Sequence, residues 1–339
     1  MTKSCVLAIA LGSALAAASP AGAQPYEVLG TRASGMGGAF VAVGDDASAI
    51  YWNPAALATG SFFSFVLDYG TAEATPESRV RAGSQSASFL GVGVPALGVG
   101  YYRLRATTVG PAAVPADRLD APRDLQGQGV RVASLVTHNV GVTLVQSLTD
   151  SIAVGTTLRY VHGNAASAFA PLEPADDLLE TARNLDGADG DQFDADIGAI
   201  ATFGTLRLGV AVRNVVEAKF DTPGEIETLR LDRQARAGMA LTVATGVVVS
   251  ADMDILRVPG LLGEVRNFAV GGEARVLRRA FVRGGYRFNT LDDQPEGRTP
   301  VGTAGGSFLV TSSLFVEGQA TFGGDTASRG WGIAGRFLF

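Results

Sequence analysis

The sequence predicts an all-β protein: an antiparallel transmembrane β-barrel of about 14 strands with an N-terminal hatch segment inside the barrel. Glycine is abundant, with 44 residues in 339, about twice the usual share of roughly 7%. Apolar residues alternate with polar ones in segments of about ten residues, which is the pattern of barrel strands. Short turns also alternate with long loops along the chain, as they do in bacterial outer-membrane barrels.

Period-two hydrophobicity divides the chain after Ser61 into fourteen predicted strands, each bounded by turn-forming residues. Because side chains of a strand point alternately to its two faces, each segment can present lipid on one side and the barrel interior on the other. The strands are expected at 62–70, 84–94, 97–105, 130–147, 151–163, 192–203, 206–217, 233–243, 246–257, 266–277, 280–290, 301–311, 314–323 and 330–339.

The connections between these strands sort into two kinds. A soluble β-domain, the alternative for a chain of this length, has no reason to sort its loops, whereas a membrane barrel has short periplasmic turns and longer outer loops. The tight turns are expected around Pro95, Thr149, Gly204, Thr245, Arg278 and Ser312, and the long loops at 71–83, 106–129, 164–191, 218–232, 258–265, 291–300 and 324–329.

The beginning of the chain is typical of a cleaved secretory signal. Lys3 precedes an apolar run at 6–18, and small residues at 21–23 form a cleavage site. This run is shorter than the roughly 20 residues that a membrane helix needs. Cys5, the one cysteine, lies within the signal, so the mature chain is expected to lack disulfides and thiol chemistry. We divide the chain into a signal peptide at 1–23, an N-terminal hatch at 24–60 and a barrel at 61–339.

Charged residues of the predicted strands fall on the parity opposite to the apolar residues. In the last strand, Trp331, Ile333 and Phe337 share one parity and Arg336 has the other. Charges are costly against lipid, so the charged parity is expected to face the lumen, where a cross-strand ionic network narrows the pore. These lumen charges are Arg207, Arg213, Arg236, Asp252, Asp254, Glu273, Arg275, Arg283, Arg287 and Glu317, with Arg159, Asp194, Asp196 and Arg336 beside them.

The segment before the first strand has a different character. Residues 30–57 lack strand alternation and combine closely spaced glycines, paired acids and an Asn-Pro-Ala element. Asp45 or Asp46 is expected to cap a short helix through Trp52, while Asn53 caps the next turn and Pro54 takes its first position. The glycines that allow tight packing or positive φ there are Gly35, Gly37, Gly38 and Gly44.

These N-terminal residues resemble the corresponding region of the FadL and PorV group of outer-membrane proteins. A second stretch at 208–215, Leu-Gly-Val-Ala-Val-Arg-Asn-Val, resembles the end of a middle strand in the PorV-like branch. The resemblance implies a fourteen-stranded barrel with a hatch. FadL-like members pass hydrophobic molecules, and PorV-like members act as partners in protein secretion. An aromatic carboxy terminus, here Phe339, also resembles the signal by which the barrel assembly machinery recognises such proteins.

Other chemistry has weaker support in the sequence. Asp186, Asp189 and Asp191 are candidate Ca²⁺ ligands, although their spacing differs from the twelve-residue calcium loop and a solvated acidic loop is the alternative. His138 and His162 are expected nearly opposite each other, as interfacial side chains or a metal pair. Ser167 near His162 lacks a third partner, so no enzyme activity and no cofactor are expected.

Two functions follow for a cell outer-membrane protein of the Gram-negative type. The first is a hatch-gated barrel that admits small hydrophobic molecules. The second is a non-transporting barrel that serves as a docking or assembly partner for secreted proteins. The expected partners are outer-membrane lipid, the barrel assembly machinery, and a small hydrophobic ligand or a secreted protein. A net charge of −6 argues against nucleic acid.

Overall fold

The computed structural model describes residues 29–75, 81–111, 129–225, 227–260, 262–291, 300–323 and 328–339. The predicted signal peptide at 1–23 and the first residues of the predicted hatch lie outside this described part. Within the described ranges, no helix combines the length and the apolar character that crossing a membrane requires.

Fourteen antiparallel strands form a closed barrel, in which the first strand, β1 (Ser64–Ala74), pairs with the last, β18 (Ser328–Leu338). This confirms the predicted fold class. The remaining barrel strands are β2 (Ala82–Val94), β3 (Leu97–Pro111), β4 (Gly129–Ser147), β5 (Ile152–Pro171), β6 (Ala188–Phe203), β7 (Leu206–Arg213), β10 (Gln234–Ala244), β11 (Val247–Asp254), β14 (Asn267–Arg275), β15 (Ala280–Asn289), β16 (Val301–Leu309) and β17 (Leu314–Gly323).

Several predicted loops contain regular structure. Strands β3 to β5 extend well into the loops predicted at 106–129 and 164–191, because their extra residues pair in continuous register. The smaller elements are α1 (Thr31–Gly35), α2 (Ala49–Trp52), the 3₁₀ helices Pro54–Thr59 and Pro223–Glu225, α3 (Ala175–Arg183), and the hairpins β8 (Lys219–Asp221) with β9 (Thr228–Arg230) and β12 (Val258–Gly260) with β13 (Gly263–Val265).

The outer surface of the wall is apolar, as the alternation predicted. Large side chains such as Leu208, Val249 and Ile333 are exposed on it. Tyr69 and Trp331 pack there with ring centroids 5.6 Å apart, as expected of the aromatic residues that flank the lipid-facing band of a membrane barrel. The wall therefore presents the surface that a bilayer requires.

The sequence did not reveal the faces of β2 and β3, because glycines occupy many of their inward positions. A Cβ at Gly98 would lie 2.8 Å from Cγ1 of Ile50, and a Cβ at Gly93 would lie 2.9 Å from Cδ2 of Leu57. Both neighbours belong to the N-terminal region. The inward positions lack side chains because the N-terminal residues press against this part of the wall.

Two satellite cores cover opposite faces of the extended strands at the outer end of the barrel. Leu178 and Leu179 of α3 pack on Val109 of β3 and Val132 of β4, which lie on the outward parity. On the inward parity, the β8–β9 hairpin packs through Phe220 and neighbouring residues against β4 and β5. The hairpin thus occupies the outer mouth of the barrel, while α3 lies outside the wall.

Phe339 directly follows β18 and closes the barrel seam. Its N–H donates to the carbonyl of Phe63 at 2.9 Å, and its carbonyl accepts from the N–H of Phe63 at 2.9 Å. The side chain itself is 77% exposed. The ring therefore contributes little to the core, and its recognition role stays a prediction.

Deleting Phe339 is expected to reduce the folded fraction in outer membranes, because both the seam bonds and the exposed aromatic ring are lost. Phe339→Ala keeps the backbone bonds, so it isolates the ring. The measurement is the heat-modifiable fraction on gels at equal expression. Phe203→Ala, which removes another exposed ring at the same end of the barrel, is the matched control. Normal assembly of both Phe339 variants contradicts the recognition role.

The barrel interior and its N-terminal segment as the candidate functional site

The described residues 29–60, here called the N-terminal segment, lie inside the barrel. Every residue from Leu29 to Leu57 is buried except Asp45, which is half-buried. Leu57 packs beside Gly93 and Gly98, which flank the tight turn between β2 and β3. The segment therefore fills the half of the barrel where the tight turns lie, which is the periplasmic half in bacterial barrels.

Two aspartates on the wall hold the segment by its backbone. The carboxylate of Asp68 on β1 accepts from the N–H of Gly30 at 3.2 Å and of Thr31 at 2.6 Å, at the start of α1. Oδ2 of Asp252 on β11 accepts from the N–H groups of Phe40 and Val41, both at 2.8 Å. These wall carboxylates satisfy backbone donors that burial would otherwise leave unpaired.

Asn53 joins three parts of the structure. Its Oδ1 accepts from the N–H of Ala55 at 3.2 Å, and Pro54 begins the 3₁₀ helix, so the predicted cap is confirmed. Its Nδ2 donates to the carbonyl of Val41 at 2.9 Å and to that of Ala199 on β6 at 3.1 Å. The fully buried amide thus fixes both the turn and its distance from the wall.

The backbone of the segment approaches the wall most closely at two inward glycines. A Cβ at Gly285 would lie 2.1 Å from the N of Gly37, and a Cβ at Gly271 would lie 2.2 Å from the carbonyl oxygen of Met36. Gly37 itself has φ of 70°, a conformation that favours glycine. Backbone therefore packs on backbone here, and part of the glycine excess follows from this contact.

Six charged side chains of alternating sign form a closed ring between segment and wall. Arg32 and Asp46 come from the segment, and the other four come from β14, β15, β17 and β18. The alternation balances three cations with three anions in a place where an unpaired charge is costly. In order, the six-charge ring consists of Arg32, Glu273, Arg283, Glu317, Arg336 and Asp46.

The ring is closed by direct contacts on both sides of the segment. Arg32 lies 2.9 Å from Glu273 and 3.1 Å from Asp46. On the wall, Arg336 lies 2.7 Å from Glu317 and 3.7 Å from Asp46. Arg283 joins Glu273 to Glu317, with 3.4 Å to the latter. Displacing the segment would leave the wall members of the ring without their two partners.

A second cluster lies across β4 to β7. Arg159 donates to Asp196 at 3.0 Å and to Asn139 at 2.8 Å, and Asp194 lies 3.4 Å from it. The guanidinium carbon of Arg213 lies 3.5 Å from the ring centroid of Tyr51 in the segment, a cation–π contact. This cluster also couples wall charge to the segment.

The remaining predicted lumen charges fall into three groups. Arg236 pairs with Asp254 at 2.6 Å and donates to the carbonyl of Gly38 at 3.3 Å. Arg207 donates to the carbonyl of Val43 at 3.3 Å. Arg275 and Arg287, in contrast, are exposed and half-buried respectively, and neither is a member of the six-charge ring. Arg275 is exposed because it ends β14 beside a tight turn.

An aromatic cluster fills the seam between the segment and β3. The ring centroid of Tyr51 lies 5.4 Å from that of Tyr102 and 6.0 Å from that of Trp52, and Phe40 lies 5.8 Å from Trp52. All four rings are buried. Edge-to-face arrangements of this kind are favourable, so the seam is apolar although the ion clusters surround it.

The paired acids of the segment do not act as predicted. The first residue before α2 is Ser48, which makes no side-chain cap. Asp46 accepts from the N–H of Ser48 at 2.9 Å ahead of the helix and also joins the ring, while Asp45 pairs with Arg32. A buried arginine nearby recruits both carboxylates. Arg32 and Asp68 were missed, although Asp68 shares the inward parity of β1.

The predicted glycines of the segment do not all have the same role. Gly37 and Gly38 have positive φ, as their spacing allowed. Gly35 lies within α1 instead, a short helix that was not predicted from the sequence. This helix has no apolar period of its own, and Asp68 of the wall supplies the acceptor for its first N–H groups.

The structure does not assemble the minor candidate sites. Among the described residues there is no group of three or more metal-ligating side chains. Asp189 accepts from Asn164 and Asp191 contacts His162, so these acids meet other partners. His138 and His162 do lie opposite each other, with ring centroids 6.3 Å apart. Asp186, Asp189 and Asp191 therefore do not form a calcium site here.

Several solved structures share this architecture. The CymD monoaromatic hydrocarbon channel superimposes with a TM-score of 0.64 at 13% identity over 92% of this chain and 98% of its own. The Ralstonia pickettii toluene transporter TbuX gives 0.60 at 15% identity over 93% and 99%. A Pseudomonas aeruginosa FadL homologue gives 0.60 at 11% identity over 92% and 98%. At these identities the similarity establishes the fold, that of a FadL-type transmembrane barrel.

The sequence also matches a family model. No curated protein sequence matches the chain. Residues 81–254 match the model described as "F plasmid transfer operon, TraF, protein". This region spans half of the chain, from β2 to β11, and the protein belongs to that family.

Proposed function

We propose that the protein is an outer-membrane barrel that admits small hydrophobic molecules along a path closed by the N-terminal segment. The observation that carries the proposal is the aromatic seam between Tyr51, Trp52 and Tyr102, which becomes an apolar route when the segment moves away from the wall. The segment then acts as a hatch. The predicted signal peptide and the apolar outer surface of the wall support a location in the outer membrane.

The hydrophobic cargo is supported by the structural relatives. Two of them are described as a monoaromatic hydrocarbon channel and a toluene transporter. A monoaromatic ring is of a size and polarity that the aromatic seam can accept, since apolar lining with a few polar groups is typical of small-molecule sites. We therefore take toluene as the probe for transport.

A second function, a docking or assembly partner for exported proteins, is favoured by a different observation. Arg32, Asp46 and the wall residues of the six-charge ring leave the segment firmly attached. Such a firm attachment is expected of a barrel whose segment never leaves the interior. The family description, which refers to a plasmid transfer operon, also fits such a role.

Deleting residues 24–58 while keeping the signal tests the hatch. Because a barrel of fourteen strands is wider than side chains alone can fill, the inserted variant is expected to show a larger and less selective single-channel conductance. Asn53→Ala with Pro54→Ala is expected to give a milder increase. Deleting 175–183, the helix α3 outside the wall, is the matched control and leaves conductance unchanged.

Uptake of toluene separates the two functions. A conduit predicts that cells expressing the parent protein take up labelled toluene faster than cells without it. Uptake equal to that of cells without the protein favours the docking role. A deletion variant that inserts normally and conducts like the parent contradicts the hatch itself.

A further inference from the structure

Arginines with few acidic partners among the described residues lie on the outward side of the wall, just beyond the lipid-facing aromatic residues. On β3, Leu97, Val99 and Tyr101 are exposed in succession on the outward parity. Arg103 and Arg105 continue that parity. The exposed apolar run ends at Tyr101, so the two arginines directly follow the lipid-facing band, where the headgroups of a bilayer begin.

Helix α3 adds a third cation to this place. Arg183, its last residue, donates to Oγ of Ser84 on β2 at 2.9 Å. Arg105 is close enough to both Arg103 and Arg183 for their charges to repel one another. The strand register places His138 of β4 directly opposite Arg103. The basic patch, meaning Arg103, Arg105 and Arg183, therefore spans β2 to β4.

Acidic partners for the basic patch are scarce in the described part of the chain. Glu73 lies 3.8 Å from Arg183, and both side chains are well exposed. Neither Arg103 nor Arg105 makes an ion pair with a described residue, and Nε of Arg105 is buried without a hydrogen-bond partner there. Among the described residues, one acid thus contacts three guanidinium groups, of which Arg105 is repelled by the other two, and this excess of positive charge favours an anionic ligand.

We infer that the basic patch binds the phosphate groups of an anionic lipid in the outer leaflet of the membrane. Guanidinium groups match phosphate through paired hydrogen bonds. The position of the patch, in line with exposed apolar residues, allows the acyl chains to lie on Val99 and Leu97 while the headgroup meets the arginines. A soluble phosphate compound would not use that apolar surface. The inference rests on the proposed membrane placement but not on transport.

The test is a titration of the purified mature protein in detergent with diphosphoryl lipid A, followed by native mass spectrometry. Arg103→Gln with Arg105→Gln is expected to raise the dissociation constant at least tenfold, because each cation near anionic lipid strengthens binding roughly fivefold. Arg183→Gln is expected to raise it severalfold. The matched control, Arg278→Gln with Arg279→Gln, removes two exposed arginines from a tight turn at the opposite end.

Heat-modifiability on gels establishes that each variant is folded. If the two strand variants assemble poorly, Arg183→Gln still tests the patch, because Arg183 belongs to α3 and not to a barrel strand. Unchanged lipid A affinity in the folded variants overturns the inference. An equal loss of lipid A affinity in the control pair also overturns the inference, because the net charge of the protein and not the basic patch then accounts for binding. If inorganic phosphate displaces lipid A at a concentration similar to that of lipid A itself, the patch is a site for free anions and the lipid inference is wrong. Failure of toluene uptake does not affect these measurements.

Discussion

Gly285→Leu is expected to displace the N-terminal segment from the wall and to raise the single-channel conductance toward that of the segment deletion. A Cβ at this position would lie 2.1 Å from the N of Gly37 and 2.2 Å from the carbonyl carbon of Met36. Both neighbours are backbone atoms, which cannot turn aside as a flexible side chain can. Either the strand or the segment must move, and the strand is held by pairing on both sides.

Gly284→Leu is the matched control for this prediction. It is the adjacent residue of β15 and points to the other face, where the nearest atom to a Cβ is 3.9 Å away. Leucine there extends the lipid-facing surface and leaves conductance unchanged. If Gly285→Leu inserts normally and conducts like Gly284→Leu, the close backbone packing between the segment and the wall is wrong.

Arg283→Ala is expected to lower the stability of the folded barrel by about 3 kcal/mol, because removing one member of a buried ionic network leaves charges uncompensated. The Arg283 side chain is fully buried and contacts Glu273, Ser307 and Glu317. Loss of this link removes the cation between two carboxylates. The segment, attached through Arg32, is expected to loosen as well.

The measurement is the temperature at which the heat-modifiable form is lost, together with conductance. Arg278→Ala, an exposed arginine in the tight turn before the same strand, is the control and leaves both unchanged. Arg287→Ala is expected to have a smaller effect than Arg283→Ala, because Arg287 is half-buried and outside the six-charge ring. If Arg283→Ala and the parent lose the heat-modifiable form at the same temperature, the ionic network does not stabilise the barrel as proposed.

The wall could be predicted from the sequence because its rules are local. Lipid on one side and a polar interior on the other impose a two-residue period, so the parity of Arg213, Asp252 and Glu317 followed from their apolar neighbours. Burial of all three confirms that reading. The tight turns were equally visible, since Gly204 and Gly246 adopt positive φ there.

The partners of these charges could not be predicted, because they lie far apart in the chain. Arg32 and Glu273 are separated by 241 positions, and no local pattern marks such a pair. The 31–35 helix was missed for the same reason: a wall residue, Asp68, supplies its acceptors. The extra length of β3 to β5 depends on α3 and the β8–β9 hairpin, which cover their outer ends.

The most direct test of the gated path is a disulfide that ties the N-terminal segment to the wall. A Cβ at Gly35 would lie 3.6 Å from Cβ of Gln319 on β17, within the roughly 3.5–4.5 Å range of disulfides. Cys5, the one native cysteine, lies in the predicted signal, so Gly35→Cys with Gln319→Cys introduces an isolated pair. Gln319→Cys alone is the control.

The measurement is the rate of labelled toluene uptake into cells that express the paired variant, before and after addition of a reductant. If the segment must move to open the path, uptake is lost when the disulfide has formed and returns to the control rate on reduction. Uptake at the control rate by protein whose disulfide is complete contradicts the account, because molecules would then pass while the segment is fixed to the wall.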